Sequence, residues 1–284
     1  MRILVTGAAG QVGSEVVRIL REGPQHEVLA CDRSRLDITD RDAVLATLTA
    51  FGPDAVIHPA AWTAVDACES DPDRAWLTNA LATRFIAEGA AAVGAQVCYV
   101  STDYVFDGTK DAPYVEWDPP GPRSVYGASK LAGERELGDG SLIVRTSWVC
   151  GANGPNMVKT ILRLAAEHDT LSFVDDQRGH PTFADDLASK IVELVVSRRA
   201  GTFHVTNQGA VSWFEFAGDV LRCAGLDPAR VLPVATADLV PARPAPRPAN
   251  SVLDNAALRL SGLALLDDFR IPLQRLVDQL GTGS

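Results

Sequence analysis

Tyr126 and Lys130 are four residues apart, in the run Tyr-Gly-Ala-Ser-Lys, and this spacing indicates acid–base chemistry. The segment 125–137 is predicted to be a helix, in which residues four apart project from one face. An ammonium beside a phenol lowers the phenol pKa from about 10 towards working pH, which makes Tyr126 a candidate general acid for carbonyl reduction. The same spacing also occurs on solvated helices without any chemical role.

A polar segment at 101–108 favours the chemical interpretation, because it follows a predicted buried strand at 97–101. Ligands collect at the carboxyl ends of parallel strands. Thr102 at this position could hydrogen-bond a substrate carbonyl beside Tyr126. The alternative is that Thr102 only caps a helix or turn.

The first strand, predicted at 2–6, runs into a glycine-rich turn at 7–13 and then into an amphipathic helix. Small residues let such a turn approach a pyrophosphate, whose charge is met by free N–H groups at the start of the helix. The turn therefore predicts a dinucleotide coenzyme, and the alternative is a plain tight turn. The residues assigned to the coenzyme here are Gly7, Gly10, Gln11, Val12 and Gly13.

The choice between NADH and NADPH stays open in the sequence. Asp32 ends the second predicted strand, where an acidic side chain would accept hydrogen bonds from the adenosine ribose and favour NAD. Arg33 and Arg35 could instead hold a 2′-phosphate, or be solvated surface. Asp37 and Ile38 lie where the chain could pass the adenine.

These residues require an α/β fold with a Rossmann-like, doubly wound parallel sheet. Strands are predicted at 2–6, 28–31, 55–58, 97–101 and 142–145, with a Thr39-capped helix ending at 52–53 and another helix over 71–94. Beyond residue 150 the pattern becomes mainly helical, at 156–168, 184–198 and 212–223. We expect an NAD(P)-binding domain at 1–150 and a mainly substrate-binding lobe at 151–284, with a strand near 202–206 returning to the sheet.

The composition narrows the class of protein. The 284 residues are 46% hydrophobic and 22% charged, which is ordinary for a globular protein. The net charge of −10 disfavours nucleic-acid binding, which draws on clustered Lys and Arg. Five scattered cysteines without a Cys-x-x-Cys pair are typical of reduced cytosolic residues. With no signal-like or membrane-length apolar stretch, we expect a soluble, cytoplasmic protein with no membrane partner.

The chain resembles the dTDP-4-dehydrorhamnose reductase family of extended short-chain dehydrogenases/reductases over nearly its whole length. The resemblance rests on six segments: GAAGQVG at 7–13, AAWTAVD at 60–66, STDYVFDG at 101–108, YGASKLAGE at 126–134, RTSW at 145–148 and DDQRGHPT at 175–182. It implies NADPH- or NADH-dependent reduction of the C4 keto group of a dTDP-4-keto-6-deoxysugar, most simply dTDP-4-dehydrorhamnose to dTDP-L-rhamnose.

The resemblance also implies roles for single residues. Thr102, Tyr126 and Lys130 become the catalytic trio, with Tyr126 as proton donor and Lys130 also on the nicotinamide ribose. Coenzyme contacts extend to Ala60, Ala61, Thr63, Asn79 and Ser101. The residues expected to contact the nucleotide sugar, besides Thr102 and Tyr126, are Val65, Asp103, Trp148, Asn156 and Arg247, the last of them at the diphosphate.

Some positions depart from the family pattern, namely His58, Pro59, Cys150, Met157 and His180. Cys150 and His180 lie near the expected sugar pocket, so the departures from the family pattern concern the substrate and not the catalytic trio. Some relatives bind Mg²⁺ at a dimer contact through glutamates. Glu15 could be one such ligand, so Mg²⁺ and a homodimer are compatible with the sequence, but we predict no metal site.

Alternative functions share this scaffold. Nucleotide-sugar 4,6-dehydratases usually have an acidic pair after the threonine, whereas Tyr104 follows Asp103 here, which argues against dehydration. A sibling 4-ketosugar reductase of secondary-metabolite synthesis remains open. So does a non-catalytic NADP-binding regulatory subunit, against which the intact Thr102, Tyr126 and Lys130 set argues.

Overall fold

The computed structural model describes residues 1–23 and 25–281. Five of its strands begin and end within one residue of the predicted ones, so those strand predictions are confirmed. The strands are β1 Arg2–Thr6, β2 Glu27–Cys31, β3 Ala55–His58, β4 Gln96–Thr102, β5 Leu142–Thr146, β6 Val149–Cys150, β7 Leu171–Val174, β8 Arg178–Gly179, β9 Thr182–Phe183, β10 Gly201–His204, β11 Val211–Ser212 and β12 Val231–Val234.

Helices alternate with the strands in the first half of the chain and dominate the second half. They are α1 Gln11–Glu22, α2 Arg41–Phe51, α3 Val65–Ser70, α4 Pro72–Trp76, α5 Ala82–Val93, α6 Val125–Arg135, α7 Met157–Glu167, α8 Ala184–Val196, α9 Trp213–Cys223, α10 Ala256–Leu260 and α11 Arg270–Gly281. The predicted capping box of α9, between Ser212 and Glu215, is confirmed.

The main sheet is parallel, with six strands in the order β10-β5-β4-β3-β1-β2 among the described residues. β2 pairs with one side of β1, and β3, β4, β5 and β10 are then added in turn on the other side. The strand order therefore reverses between β1 and β3, which is where doubly wound sheets bind ligands. β10 lies in the region where the sequence predicts a returning strand, and it pairs with β5.

Side chains alternate between the two faces of the sheet along each strand, and helices cover both faces, so both are buried. Ile3 and Val5 point into a core closed by α1 and α8, whereas Leu4 points into a core closed by α2 and α5. A third core, formed by α7, α9 and α11 with β7 and β12, makes up the second lobe.

Two local predictions are wrong. Asp40, not Thr39, caps α2, accepting from the Ala43 N–H at 3.0 Å, because the Thr39 hydroxyl bonds the Asp37 carboxylate instead. The helix predicted over 71–94 is interrupted by a π-helical turn, Leu77–Leu81, between α4 and α5. Such a turn inserts an extra residue into the helical ladder and is frequent at functional sites.

No helix within the described residues is long and apolar enough to cross a membrane.

Candidate active site

The carboxyl ends of β1, β3, β4 and β5 meet at a cavity of about 410 Å³, which we call the main cleft. It lies beside the point where the strand order reverses. The predicted site residues that line it are Gly7, Gly10, Gln11, Val12, Gly13, Ala61, Thr63, Val65, Ser101, Thr102, Asp103, Tyr126, Lys130 and Trp148.

The glycine turn at one wall of the main cleft leaves no room for larger residues. Gly7 has φ +55°, and a methyl group there would lie 2.9 Å from Ala60 Cα. A methyl group on Gly13 would overlap the Gly7 carbonyl oxygen. The backbone is therefore bare and closely packed at the start of α1, as binding of a pyrophosphate requires.

Tyr126 is buried at the first turn of α6, and its ring contacts Tyr104 edge-to-face at 5.6 Å between centroids. Burial raises the pKa of Tyr126, and a hydrogen bond with Thr102 opposes this only in part. The expected lowering of this pKa is wrong, because burial of the phenol, reinforced by the nearby Asp103 charge, outweighs the Thr102 hydrogen bond. Tyr126 therefore carries its proton.

Lys130 is buried one turn along α6, as the spacing predicts. Its Nζ donates to the Val100 carbonyl oxygen at 2.7 Å and lies 3.9 Å from the centre of the Tyr99 ring. Burial lowers the pKa of Lys130 to about 7, against the attraction of Glu134. The Lys130 side chain is therefore held in one position, and its ammonium group titrates near neutral pH.

Two buried hydroxyl oxygens of main-cleft residues, Ser101 Oγ and Thr146 Oγ1, have no hydrogen-bond partner among the described residues. Burial also raises the pKa of Asp103 to about 6. Unpartnered buried polar atoms are unfavourable in a folded protein unless a ligand satisfies them. Together with the bare glycine turn, these atoms fit a polar, phosphate-bearing ligand.

Helix α6 is fixed in place from several sides. Ser124 caps it by accepting from the Gly127 N–H at 3.1 Å, and Glu134 binds Arg145 of β5 through two buried contacts of 2.7 and 2.9 Å. Asn79 was predicted to bind coenzyme, but in the structure it braces this helix. Its amide donates to Ser129 Oγ at 3.0 Å and accepts from the Trp62 N–H at 2.8 Å.

A second, smaller cavity of about 230 Å³, the side cleft, adjoins the glycine turn at Gly7. The predicted coenzyme residues that line it are Arg33, Asp37, Ile38, Ala60 and Ala61. Arg74 also lines it, and its guanidinium lies 4.3 Å from the centre of the Trp62 ring. No motif marks Arg74, which sequence reasoning missed.

Asp32 does not line either cleft. Its Oδ1 accepts from the Ser34 N–H at 2.9 Å and from the Ser34 hydroxyl at 2.6 Å. These bonds to Ser34, followed by that from the Arg35 N–H, lower the pKa of Asp32. The carboxylate thus closes the turn after β2.

Two predicted substrate residues lie outside the main cleft. Asn156 caps α7, and its amide also donates to Gln11 Oε1 at 3.2 Å, which places it beside the glycine turn. Arg247 binds Asp66 at 2.8 Å and lines a separate cavity of about 650 Å³. Lys110, Arg123 and Arg178 line the same cavity.

The site also contains Thr146 and Ser147, which sequence reasoning did not single out as ligands. Thr146 ends β5, and Ser147 follows it. The rule that ligands collect at the carboxyl ends of parallel strands would have found both.

A parallel sheet with a glycine turn after β1, and a Tyr–Lys pair one helical turn apart beside the end of β4, defines an extended short-chain dehydrogenase/reductase. Within that class, the chain belongs to the family described as RmlD substrate binding domain, whose model matches residues 1–282. This match covers the Rossmann-like part and the second lobe alike.

Individual relatives agree with this family. A dTDP-4-dehydrorhamnose reductase of Streptomyces griseus is 45% identical, over 96% of this chain and 91% of the relative. A probable dTDP-4,6-dihydroxy-2-methyloxan-3-one 4-ketoreductase of Streptomyces antibioticus is 41% identical, over 96% and 94%. The crystal structure of dTDP-4-dehydrorhamnose reductase from Bacillus anthracis in complex with NADP has a TM-score of 0.93 and 39% identity, over 98% and 99%.

Proposed function

We propose that this protein reduces the C4 keto group of a dTDP-4-keto-6-deoxysugar, converting dTDP-4-dehydrorhamnose to dTDP-L-rhamnose with a nicotinamide coenzyme. The observation that carries the proposal is the meeting of Thr102, Tyr126 and Lys130 in one cleft with the glycine turn. The 45% identity to a named reductase supports this substrate.

Tyr126 acts as the proton donor in this proposal. The bound nicotinamide coenzyme supplies the hydride to the sugar C4 carbon. Tyr126 keeps its proton because burial raises its pKa, so the proton is available to the C4 oxygen as negative charge develops there. The Thr102 hydroxyl donates to Asp103 Oδ1 at 3.0 Å and would turn this proton to the same C4 oxygen when the sugar binds.

Lys130 and the glycine turn hold the coenzyme. The N–H groups at Gln11, Val12 and Gly13, next to Gly10, would face the pyrophosphate. Ala60 would border the adenosine half in the side cleft, and Ala61, Thr63 and Ser101 would border the nicotinamide half in the main cleft. Lys130, fixed by the Val100 carbonyl, donates to the nicotinamide ribose.

The coenzyme preferred under this proposal is NADPH. Arg33 and Arg74 both line the side cleft, while the Asp32 and Asp37 carboxylates already accept hydrogen bonds from their own loops. The 2′-phosphate of NADPH would meet two guanidinium groups there, with charge-assisted hydrogen bonds.

We expect Arg33→Ala and Arg74→Ala each to raise the KM for NADPH by about tenfold or more, since each removes a bond to a charged group. The KM for NADH should change by less than about twofold, because NADH lacks that phosphate. Arg35→Ala is the matched control, as Arg35 is exposed and does not line the side cleft. Equal effects on the two coenzymes would contradict the preference for NADPH.

The nucleotide sugar is assigned to the wall opposite the glycine turn. Val65, Asp103 and Trp148 line the main cleft and would contact the sugar. Arg247 would bind the diphosphate in place of Asp66, its present partner. Asn156 would link the substrate side of the cleft to the glycine turn through its hydrogen bond to Gln11. The division of labour between 1–150 for coenzyme and 151–284 mainly for substrate is part of the same proposal.

The deciding experiment is oxidation of NADPH and NADH by the purified protein with enzymatically generated dTDP-4-dehydrorhamnose. We expect Tyr126→Phe to lower kcat about a hundredfold or more, because it removes the proton donor. Tyr114→Phe is the control, since Tyr114 stacks on Phe106 away from both clefts. No turnover by the wild-type protein with either coenzyme would overturn the proposal.

A sibling reductase is the second candidate function, because the Streptomyces antibioticus relative is a 4-ketoreductase named for a different sugar. A panel of dTDP-4-ketosugars separates the two by their kcat/KM values. A regulatory NADP binder would instead bind coenzyme and turn over none of them.

The compartment belongs to the proposal as well. The five cysteines all lie in the described part of the chain and form no disulfide, and four of them are buried. This state suits the reducing cytoplasm, where thiols stay reduced.

A further inference from the structure

Trp148 has a backbone conformation that is rare for a bulky residue. Its φ is +46°, in the left-handed region, and hydrogen bonds hold both sides of it. Ser147 Oγ donates to the His180 carbonyl at 2.7 Å, and the Thr182 N–H donates to the Trp148 carbonyl at 3.3 Å. An unfavourable conformation that the surroundings enforce is often part of a functional site.

The indole of Trp148 is also fixed, by Trp213. The two rings are stacked with centroids 3.6 Å apart and planes 9° from parallel. Trp213 is the first residue of α9, and the Ser212–Glu215 capping box fixes where that helix begins. Its ring contacts Phe216 at 6.0 Å, which in turn contacts Phe269, so an aromatic row leads from Trp148 into the second lobe.

Gly179 makes this arrangement sterically possible. A methyl group on Gly179 would lie 2.6 Å from Trp148 Cε2 and 2.9 Å from its Nε1, which is too close for any side chain. The antiparallel pairing of β8 with β11 sets Gly179 opposite Val211, two residues before Trp213. One short sheet therefore positions both groups that contact the indole.

We propose that Trp213 is a positioning residue that holds Trp148 as the apolar wall of the sugar subsite. Trp148 lines the main cleft, whereas Trp213 does not line it, so Trp213 acts through Trp148. A 6-deoxysugar presents a methyl group and C–H bonds, which pack well on an aromatic surface. This inference rests on the proposed reductase function and adds to it the residue that governs sugar affinity.

The test compares Trp213→Leu with Trp213→Phe. We expect Trp213→Leu to raise the KM for the nucleotide sugar by about fivefold to tenfold, the effect of losing one aromatic pair. The KM for coenzyme should stay within about twofold. Trp213→Phe keeps an aromatic stack and should restore the KM for the sugar. Trp117→Leu is the matched control, because Trp117 is 67% exposed and lines neither cleft.

Circular dichroism adds a structural readout that does not depend on turnover. Two stacked indoles produce an exciton couplet, which Trp213→Leu and Trp213→Phe should abolish and Trp117→Leu should leave intact. Loss of the couplet in Trp213→Leu with an unchanged KM for the sugar would overturn this inference alone. Absence of turnover in the wild-type protein with every dTDP-4-ketosugar would overturn the proposed function, and this inference with it.

Discussion

Asp103 and Tyr126 both line the main cleft, and burial moves the pKa of each towards the protonated form. For Tyr126 this preserves the proton that the reaction consumes. For Asp103 it means that an ionised carboxylate is held in a poorly solvated place, where hydrogen bonds with Ser251 and Thr102 offset the cost of burial only in part. The ionised Asp103 carboxylate therefore lowers the free energy of unfolding of the protein, while it offers an acceptor to a ligand in the main cleft.

This predicts a pH-dependent gain of stability in Asp103→Asn. The pKa of Asp103 is raised from its ordinary value of 3.8 to about 6, so the folded protein binds the additional proton between these values. Above pH 6 both states are ionised, and the wild-type protein has the full penalty, about 3 kcal/mol. Asp103→Asn should be more stable by that amount.

Urea unfolding over a range of pH measures this gain. The difference between Asp103→Asn and the wild-type protein should shrink as pH falls from 6 and disappear below 3.8. The same variant should have a higher KM for the nucleotide sugar, because an amide is a weaker acceptor for sugar hydroxyls. A pH-independent difference in stability would contradict this account.

At the scale of elements, the position of α6 decides whether the Tyr126 and Lys130 side chains reach the cleft. The Glu134–Arg145 pair joins this helix to β5, and both side chains are about 95% buried. Arg84–Glu136 is a pair of the same chemistry next to the end of the same helix, but Arg84 is half exposed. The two pairs allow a matched comparison.

We expect Glu134→Gln to lower the free energy of unfolding by about 3 kcal/mol, because it leaves the Arg145 charge buried without its counter-ion. Arg84→Gln should have little measurable effect, since water replaces the lost contact. Chemical denaturation of both variants measures the difference. Similar losses in the two would show that the buried pair does not anchor α6.

At the scale of the whole molecule, the second half of the chain completes the sheet layer of the first. α8 packs against α1 over the sheet, and β10 covers the edge of β5. The proposed division at residue 150 therefore concerns ligand binding only. The two halves share a core and a sheet, so we expect them to fold together.

A fragment of residues 1–150 should consequently lack a cooperative unfolding transition. Removal of α8 and β10 exposes an apolar face of α1, including Val16 and Leu20, and the unpaired edge of β5. Calorimetry of the fragment beside the full chain tests this expectation. A sharp thermal transition in the fragment would instead establish the first half as an independent folding unit.

The sequence by itself determined the features that depend on local pattern: the strands β1 to β5, the glycine turn, the Tyr126–Lys130 spacing on a helix and the Ser212 capping box. Each follows from steric rules and periodicity within a few residues. The family motifs extended this to the predicted residues that line the main cleft.

Only the tertiary structure decided which groups are buried and which partners they find. Local pattern did not show that Asp32 and Asp37 accept bonds from their own loops, that Arg247 pairs with Asp66, or that Arg74 reaches the side cleft. It also gave the wrong direction for the pKa of Tyr126. The physical reason is that burial and charge pairing depend on segments far apart in the chain, whose approach no short pattern encodes.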